Sequence, residues 1–241
     1  MHILNTLVTE PEKVEEKCGY TSCPLTFTVK TANAIGIPVG ILFSLLFCIP
    51  AWFIMRDEYN DIWSRLFKLI ISFYEQINEH VTGIFSLKSK TIILIMVFVV
   101  MGIIITTVFL LFGWLHAIFH ELTHAFAWTM GTPLRIKDCT LKLFPQPSCH
   151  CPIKEVPVPR ALVGTLAPAF ITGVLPVIRA VVFRSFIVLL LGGYGIAVAG
   201  MDILHSLLRI PFIRVKGSLY KDEKDLVGGI VYIPLQSLPR Q

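Results

Sequence analysis

The sequence predicts an all-α multi-pass membrane protein with about four transmembrane helices, an amphipathic interfacial helix and a small β-hairpin in the linker at 131–160. Composition is the first indication: of 241 residues, 54% are hydrophobic and only 15% are charged, whereas soluble domains carry about 25% charged residues. Long uncharged runs are the second indication. No charged side chain lies between Lys30 and Arg56, or from Thr91 to Phe119, and about 20 apolar residues suffice for a helix to cross a bilayer. We therefore expect the lipid bilayer to surround most of the chain.

The first 30 residues are predicted to form an N-terminal soluble tail, followed by a first span at 31–55. A cleavable signal peptide is not expected, because this tail contains four glutamates and the apolar run after it exceeds the 7–15 residues of a signal-peptide core. Pro38 and Pro50 lie near the ends of the span, where losing a backbone hydrogen bond costs least.

Residues 56–90 are predicted to contain the amphipathic helix. Apolar residues recur there at helical spacing, at Ile62, Leu66, Leu69, Phe73 and Ile77. The other face of the same helix is polar, with Arg65, Lys68, Ser72, Glu75 and Glu79. Such a helix lies at the membrane interface or packs on the helix bundle.

The stretch at 91–130 is too long for a single straight span. As one helix it would extend about 60 Å, roughly twice the hydrocarbon thickness. The stretch is therefore expected to break, to protrude from the membrane or to fold back, and Gly113 is the favoured position for a break. The second part, 114–130, is then predicted as a separate helix.

Alternating apolar and polar residues at 134–137 and 141–143 predict the small hairpin in the 131–160 linker. Two further spans are expected at 161–178 and 185–208, which complete a membrane-embedded core at 31–210. The remainder, 211–241, is predicted to be a polar C-terminal cytoplasmic tail with one strand at 230–233.

Basic residues predict the orientation of these spans. With four spans, fourteen of the 21 lysines and arginines fall in the N-terminal tail, the 131–160 linker and the C-terminal end, and seven fall on the opposite side. Lysine and arginine accumulate in cytoplasmic loops. We therefore expect both termini of a cell-membrane protein to be cytoplasmic. This topology accounts for the net charge of +5, and no nucleic-acid partner is expected.

The motif His120-Glu121-Leu122-Thr123-His124 lies in the predicted helix at 114–130. Residues four apart share a helix face, so the two imidazoles can bind one Zn²⁺. The intervening glutamate can then act as general base toward a zinc-bound water. An acidic residue in an apolar helix is costly and is by default a functional candidate.

A zinc site of this kind needs a third ligand, for which Asp202 is the favoured candidate. Of the sixteen acidic residues, only Glu121 and Asp202 lie in predicted apolar helices. His205, three residues further on, is the competing ligand and could instead donate a hydrogen bond to Asp202. His116 shares the face of His120 and is an alternative ligand or a partner of one. The non-functional alternatives for Asp202 are a salt bridge with Arg209 and a position at the end of the helix in contact with water.

Six cysteines are present, and the sequence Cys149-His150-Cys151 is typical of metal-binding loops. Cys-x-Cys spacing is tight for one tetrahedral site, however, and no second pair with structural-zinc spacing follows. Ordinary loop residues are the favoured interpretation. Disulfides are not expected if this loop is cytoplasmic.

Together these features resemble a membrane family of zincin-type peptidases and, more distantly, site-2 proteases. The resemblance covers about residues 91–233: the two-histidine motif, a polar hairpin, the span with Ala167-Pro168, the late aspartate and the segment with Asp225, Gly229 and Tyr232. It implies that His120, His124 and Asp202 bind Zn²⁺ and that Glu121 activates water. One departure is that Ile203 follows the aspartate, where site-2 proteases have glycine.

The predicted function is that of a zinc-dependent, membrane-embedded metallopeptidase acting on a membrane-associated polypeptide substrate. Two other functions stay open from the sequence. A non-catalytic scaffold or regulator could keep the fold and the metal, and a metal-ion transporter would also place histidine and aspartate inside a membrane.

Overall fold

The computed structural model describes residues 17–82, 87–130, 132, 134–144, 147–151, 155–222 and 227–235, and most of them are helical. The α-helices are Val29–Ile54 (α1), Arg56–Thr82 (α2), Leu87–Thr129 (α3), Val158–Pro168 (α4), Leu175–Phe183 (α5), Phe186–Val198 (α6) and Gly200–Arg209 (α7). A π-helical segment, Ala169–Val174, joins α4 to α5, and 3₁₀ turns occur at Ile136–Asp138 and Ile210–Phe212.

Two small antiparallel sheets accompany the helices, so the protein is mostly helical rather than all-α. The strands are Tyr20–Phe27 (β1), Thr140–Lys142 (β2), Ser148–His150 (β3), Val156–Pro157 (β4), Leu219–Asp222 (β5) and Val227–Pro234 (β6). Strands β2 and β3 form a hairpin, and the other four form a sheet in the order β1-β6-β5-β4. The strand expected at 230–233 is confirmed as part of β6. Strand β1 was missed because its partner lies some 200 residues away, so no local pattern indicates the pairing.

Three helical segments are long and apolar enough to cross a membrane, namely Lys30–Ile54, Ile95–Thr129 and Val158–Phe183. The helices Phe186–Val198 and Gly200–Phe212 meet at an angle of 54° and would count together as a fourth span. Within the described residues, the number of candidate spans is therefore three or four.

Helix α3 is continuous through Gly113, so the expected break there is wrong. Its 43 residues extend about 65 Å at 1.5 Å per residue. Glycine inside a helix costs only about 1 kcal/mol, and no proline interrupts the hydrogen-bond ladder. A Cβ at Gly113 would lie 3.0 Å from the Tyr194 hydroxyl oxygen. This glycine therefore permits close contact with α6.

The span that includes α4 and α5 changes its helical geometry after Pro168. Proline has no N–H and its ring clashes with the carbonyl four residues earlier. Such disturbances commonly produce a π-bulge, often at a functional site. In this helix the carbonyl that loses its intrahelical donor is that of Gly164.

Helix α1 packs on α6 and α7 through small residues. A Cβ at Gly40 would lie 2.0 Å from the Ala197 carbonyl oxygen, and one at Gly200 would lie 2.0 Å from the Gly36 carbonyl oxygen. These contacts are backbone to backbone. Beside them lies an apolar core formed by Ala51, Met55, Ala169, Val177, Ala180, Leu189, Ile196, Ala199 and Ile203.

Replacing Gly200 with valine is expected to destabilise the protein, because the new side chain would meet the backbone of α1. Overpacking typically costs about 1–3 kcal/mol. The midpoint of thermal unfolding in detergent measures the loss. Gly102→Val is the matched control, since a Cβ at Gly102 has no atom within 4 Å. Equal unfolding midpoints for the two variants would contradict this packing.

The hairpin expected in the 131–160 linker is confirmed, with different strands. Residues 141–143 overlap β2, but 134–137 is not a strand. Instead, Ile136–Asp138 forms a 3₁₀ turn, closed by the Arg135 backbone N–H donating to Asp138 Oδ2 at 2.8 Å.

Candidate metal centre

The two motif histidines lie on one face of α3, near its C-terminal end. His120 is buried, and its ring centroid is 5.0 Å from that of His124, with the ring planes at 82°. This follows from the four-residue spacing, which places the side chains one helical turn apart.

Asp202 reaches these histidines because the chain bends between α6 and α7. It occupies the first turn of α7. Its Oδ2 is 3.0 Å from His120 Nε2, and its Oδ1 is 3.4 Å from His124 Nε2. One ligand atom from each of the three residues lies within 4.8 Å of the others. The structure thus brings together the three residues predicted as zinc ligands.

The donor atoms have the chemistry that Zn²⁺ requires, and the separations between the carboxylate oxygens and the histidine nitrogens are close to those of a zinc site. Zinc binds histidine nitrogen and carboxylate oxygen at about 2.0–2.2 Å, so the donors of a tetrahedral site lie about 3.3 Å apart. The separations of 3.0 and 3.4 Å match this value. Two histidines and one carboxylate also leave a fourth position free, as in catalytic zinc sites.

The backbone of α4 orients His124. The ring nitrogen Nδ1 is 3.0 Å from the Gly164 carbonyl oxygen, the carbonyl that has no intrahelical donor because residue 168 is proline. A histidine that donates through one ring nitrogen presents the other to a metal. Helix α4 also approaches closely here, since a Cβ at Gly164 would lie 2.6 Å from the Trp128 ring. Pro168 and Gly164 together therefore direct His124 Nε2 toward Asp202.

Replacing Pro168 with alanine is expected to weaken zinc binding. The new N–H would compete for the Gly164 carbonyl, and losing an outer partner of a ligand costs about 10–100-fold in affinity. Zinc titration of metal-stripped protein measures the change. Pro38→Ala, in α1, is the control and should bind normally. An unchanged affinity in Pro168→Ala would show that this carbonyl does not orient the histidine.

Glu121 lies beside the three residues and is held by the β2–β3 hairpin. Its Oε2 accepts a hydrogen bond from the Cys149 backbone N–H at 2.7 Å. The Glu121 side chain also lines a cavity of about 200 Å³ together with His124 and Asp202. The glutamate is therefore next to the cluster without being one of its three converging ligands.

Three further residues line the same cavity, and two of them, Tyr220 and Asp222, were not indicated by the sequence. Tyr220 and Asp222 come from β5, and Arg209 from the end of α7. The Tyr220 hydroxyl donates to Asp222 Oδ1 at 3.0 Å, and the Arg209 guanidinium lies 3.8 Å from the Tyr220 ring centroid. Burial raises the pKa of Tyr220 well above its ordinary value, so this phenol stays neutral and can donate.

Tyr220 and Asp222 were missed because residues from 211 onward were predicted to form a polar tail. Pairing of β5 with β6 and β4 places Asp222 at the cavity. The strand-like pattern near residue 230 was the one feature of the sequence that indicated this sheet. Asp225, part of the family resemblance, lies outside the described residues.

The other histidines considered as ligands do not join the cluster. His205 stacks on Phe27, with ring centroids 5.5 Å apart. Its Nε2 has no hydrogen-bond partner within the described chain, and the hydrogen bond that it could have donated to Asp202 is not seen there. His116 makes an edge contact with the Tyr194 ring at 5.0 Å.

Arg209 does not form the alternative salt bridge with Asp202. Its Nη1 donates instead to Thr165 Oγ1 at 2.7 Å. The carboxylate of Asp202 is thereby left to the two histidines.

Fold and site together define a mostly helical protein with a candidate metal centre of two histidines and one carboxylate. Residues 113–212 match a family described as "putative zincin peptidase", so the resemblance to zincin-type peptidases is confirmed over this segment. The matched segment contains His120, Glu121, His124 and Asp202. The family description indicates a zinc metallopeptidase. The similarity to site-2 proteases stays a prediction. No curated protein and no solved structure matches the chain.

Proposed function

We propose that this protein is a membrane-embedded zinc metallopeptidase that hydrolyses peptide bonds of membrane-associated polypeptides. The observation that carries the proposal is the convergence of His120, His124 and Asp202, two of which, His124 and Asp202, line one cavity with Glu121. The three converging residues would hold the metal, and the glutamate would serve as base.

The division of roles follows from the contacts of each side chain. Bound zinc would lower the pKa of a water molecule to around 7 and polarise the substrate carbonyl. Glu121 has one oxygen, Oε2, fixed by the Cys149 N–H, so Oε1 can take a proton from the attacking water. Passing that proton to the leaving amine completes general acid–base catalysis by one residue. His124 keeps its orientation through Gly164 throughout.

Membrane embedding is supported by the surface of α3. Its apolar side chains face outward around the helix; Phe109 is 70% exposed and Leu110 71% exposed. Soluble proteins rarely expose contiguous apolar patches larger than a few hundred Å², whereas lipid covers such a surface. The apolar residues of α2 are likewise exposed, among them Leu69 and Phe73, as expected of an interfacial helix.

The sheet supports the predicted orientation. It joins β1, before the first span, to β4 at the end of the 131–160 linker and to β5 and β6 after the last span. All of these segments must therefore lie on one side of a membrane. With most of the basic residues on that side, the positive-inside rule places it in the cytoplasm.

The orientation predicts that Cys18, an exposed residue, is not labelled by a membrane-impermeant thiol reagent added to intact cells. Cysteine introduced at Ser72, on α2, should be labelled under the same conditions, because α2 connects spans on the opposite side. Efficient labelling of Cys18 before lysis, with none at position 72, would reverse the orientation.

Proteolysis is tested by comparing membranes from cells that make the wild-type protein or the His120→Ala/His124→Ala double variant. We expect new N-termini in membrane proteins, quantified by mass spectrometry, only with the wild type. Single-span proteins found this way are then cleaved by purified enzyme in proteoliposomes, and chelation of zinc should stop the reaction.

Identical N-termini in both membranes, together with no cleavage in proteoliposomes, would reject the peptidase. A cellular activity that survives in the double variant would favour a scaffold. Zinc flux into the proteoliposomes would favour a transporter.

A further inference from the structure

Three cysteines converge on one face of the β2–β3 hairpin, and two of them, Cys149 and Cys151, line the same cavity as His124 and Asp202. The sulfur atoms of Cys139, Cys149 and Cys151 all lie within 4.8 Å of one another, and those of Cys149 and Cys151 are 3.8 Å apart. Cys151 is buried, with 7% of its surface exposed. All three thiols are free.

We propose that Cys139, Cys149 and Cys151 form a second metal site, which binds one Zn²⁺ through three thiolates and a water molecule. The sequence alone favoured ordinary loop residues, because Cys149 and Cys151 had no visible partner pair. Cys139 supplies the third ligand, which the sequence spacing of structural zinc sites did not predict.

Strand pairing explains why these three side chains meet. Thr140 is opposite His150, so continuing the register places Cys139 opposite Cys151. Cys149 and Cys151 are two residues apart and therefore point to the same face of the hairpin. Directly opposite and diagonal neighbours are the side chains that touch across paired strands.

The sulfur spacing fits a metal better than a disulfide. Zinc–sulfur bonds are about 2.3 Å long, so two thiolates of a tetrahedral site lie about 3.8 Å apart, which matches the separation of 3.8 Å. A disulfide requires about 2.05 Å and would link only two of the three thiols. Three converging sulfurs are also the soft donor set that selects thiophilic ions such as Zn²⁺.

The fourth position is left to water because His150 faces elsewhere. Its Nδ1 is 3.8 Å from Asp222 Oδ2. Side chains alternate along β3, so His150 lies on the opposite face of the strand from Cys149 and Cys151.

A metal at this site would fix the hairpin that holds Glu121. Cys149 contributes its side chain to the thiolate cluster and its backbone N–H to the Glu121 carboxylate. A metal held by Cys139, Cys149 and Cys151 would restrain that N–H through the backbone of the hairpin. The thiolate site stands on its own geometry, whether or not the protein is a peptidase.

Cobalt substitution of the full-length protein, purified in detergent under reducing conditions, tests the proposal. We expect about two metal ions per chain and a sulfur-to-cobalt charge-transfer absorption. Cys151→Ser should lose that absorption and about one ion, whereas Cys18→Ser, the matched control, should keep both. His120→Ala should keep the absorption and lose the other ion. Absence of the absorption in the wild type, or its full retention in Cys151→Ser, would overturn the proposal.

Alkylation of the wild-type protein gives a second measurement that does not depend on a variant folding. Bound zinc should protect Cys139, Cys149 and Cys151 from iodoacetamide until a chelator is added, whereas Cys18 should react in both conditions. Equal reaction of the three cysteines with and without chelator, or a disulfide between two of them in the reduced preparation, refutes the site.

Discussion

Replacing Asp202 with alanine is expected to remove nearly all zinc from the histidine centre. The variant keeps two imidazoles but loses the carboxylate whose two oxygens lie 3.0 and 3.4 Å from their Nε2 atoms. We expect the affinity to fall by more than the roughly 100-fold that marks the upper end for losing an outer partner. Zinc titration monitored with a competing chelator measures the difference, and Asp202→Asn provides a variant of nearly the same shape.

His205→Ala is the discriminating control, since His205 is the competing ligand on the same helix. Its ring rests on Phe27 and makes no hydrogen bond to Asp202, so its removal should change zinc affinity less than about tenfold, below the range for outer partners. If His205→Ala loses the metal and Asp202→Ala retains it, the third ligand has been assigned to the wrong residue.

Glu121→Gln is expected to abolish most hydrolysis while leaving the zinc content unchanged. The glutamine carbonyl oxygen can still accept the hydrogen bond from the Cys149 N–H, so the side chain keeps its position. It cannot take a proton, however, and a positioned general base contributes about 10²–10⁴-fold to rate. Cleavage of a single-span substrate in proteoliposomes measures the rate, and elemental analysis of the same sample measures the metal.

Glu79→Gln, an exposed change in α2, is the matched control and should cleave normally. Wild-type cleavage by Glu121→Gln would mean that another group accepts the proton. Loss of both cleavage and zinc would instead make Glu121 part of the metal centre.

The parts of the fold that depend on local pattern could be predicted from the sequence. Long uncharged runs indicated the apolar helices, and the amphipathic repeat at 62–77 indicated α2. The local sequence could not predict whether the helix breaks at Gly113, because a glycine in a helix permits either a break or a close contact with a neighbouring helix. Its proximity to Tyr194 depends on how α6 packs.

The candidate site likewise has parts that the local sequence predicts and parts that depend on tertiary packing. The histidine spacing predicted one shared helix face, and the cost of an isolated carboxylate in an apolar helix singled out Asp202. The Gly164 carbonyl could not be predicted, since its availability depends on a proline four residues later and on the approach of α4 to α3. Asp222 and Cys139 required the register of strands that no single segment reveals.

The pairing of β1 with β6 has a consequence for how the chain is made. Among the described elements, strand β1 is synthesised before every helix, and β6 after all of them. At about 5–20 residues per second, the intervening 200 residues take on the order of 10–40 s. For that time β1 has no partner within its own chain, and an unpaired strand invites pairing with other chains. Pro24 lies in the middle of β1, where it removes one backbone donor. Pro24 therefore weakens pairing of β1 with strands of other chains during the time before β6 is made.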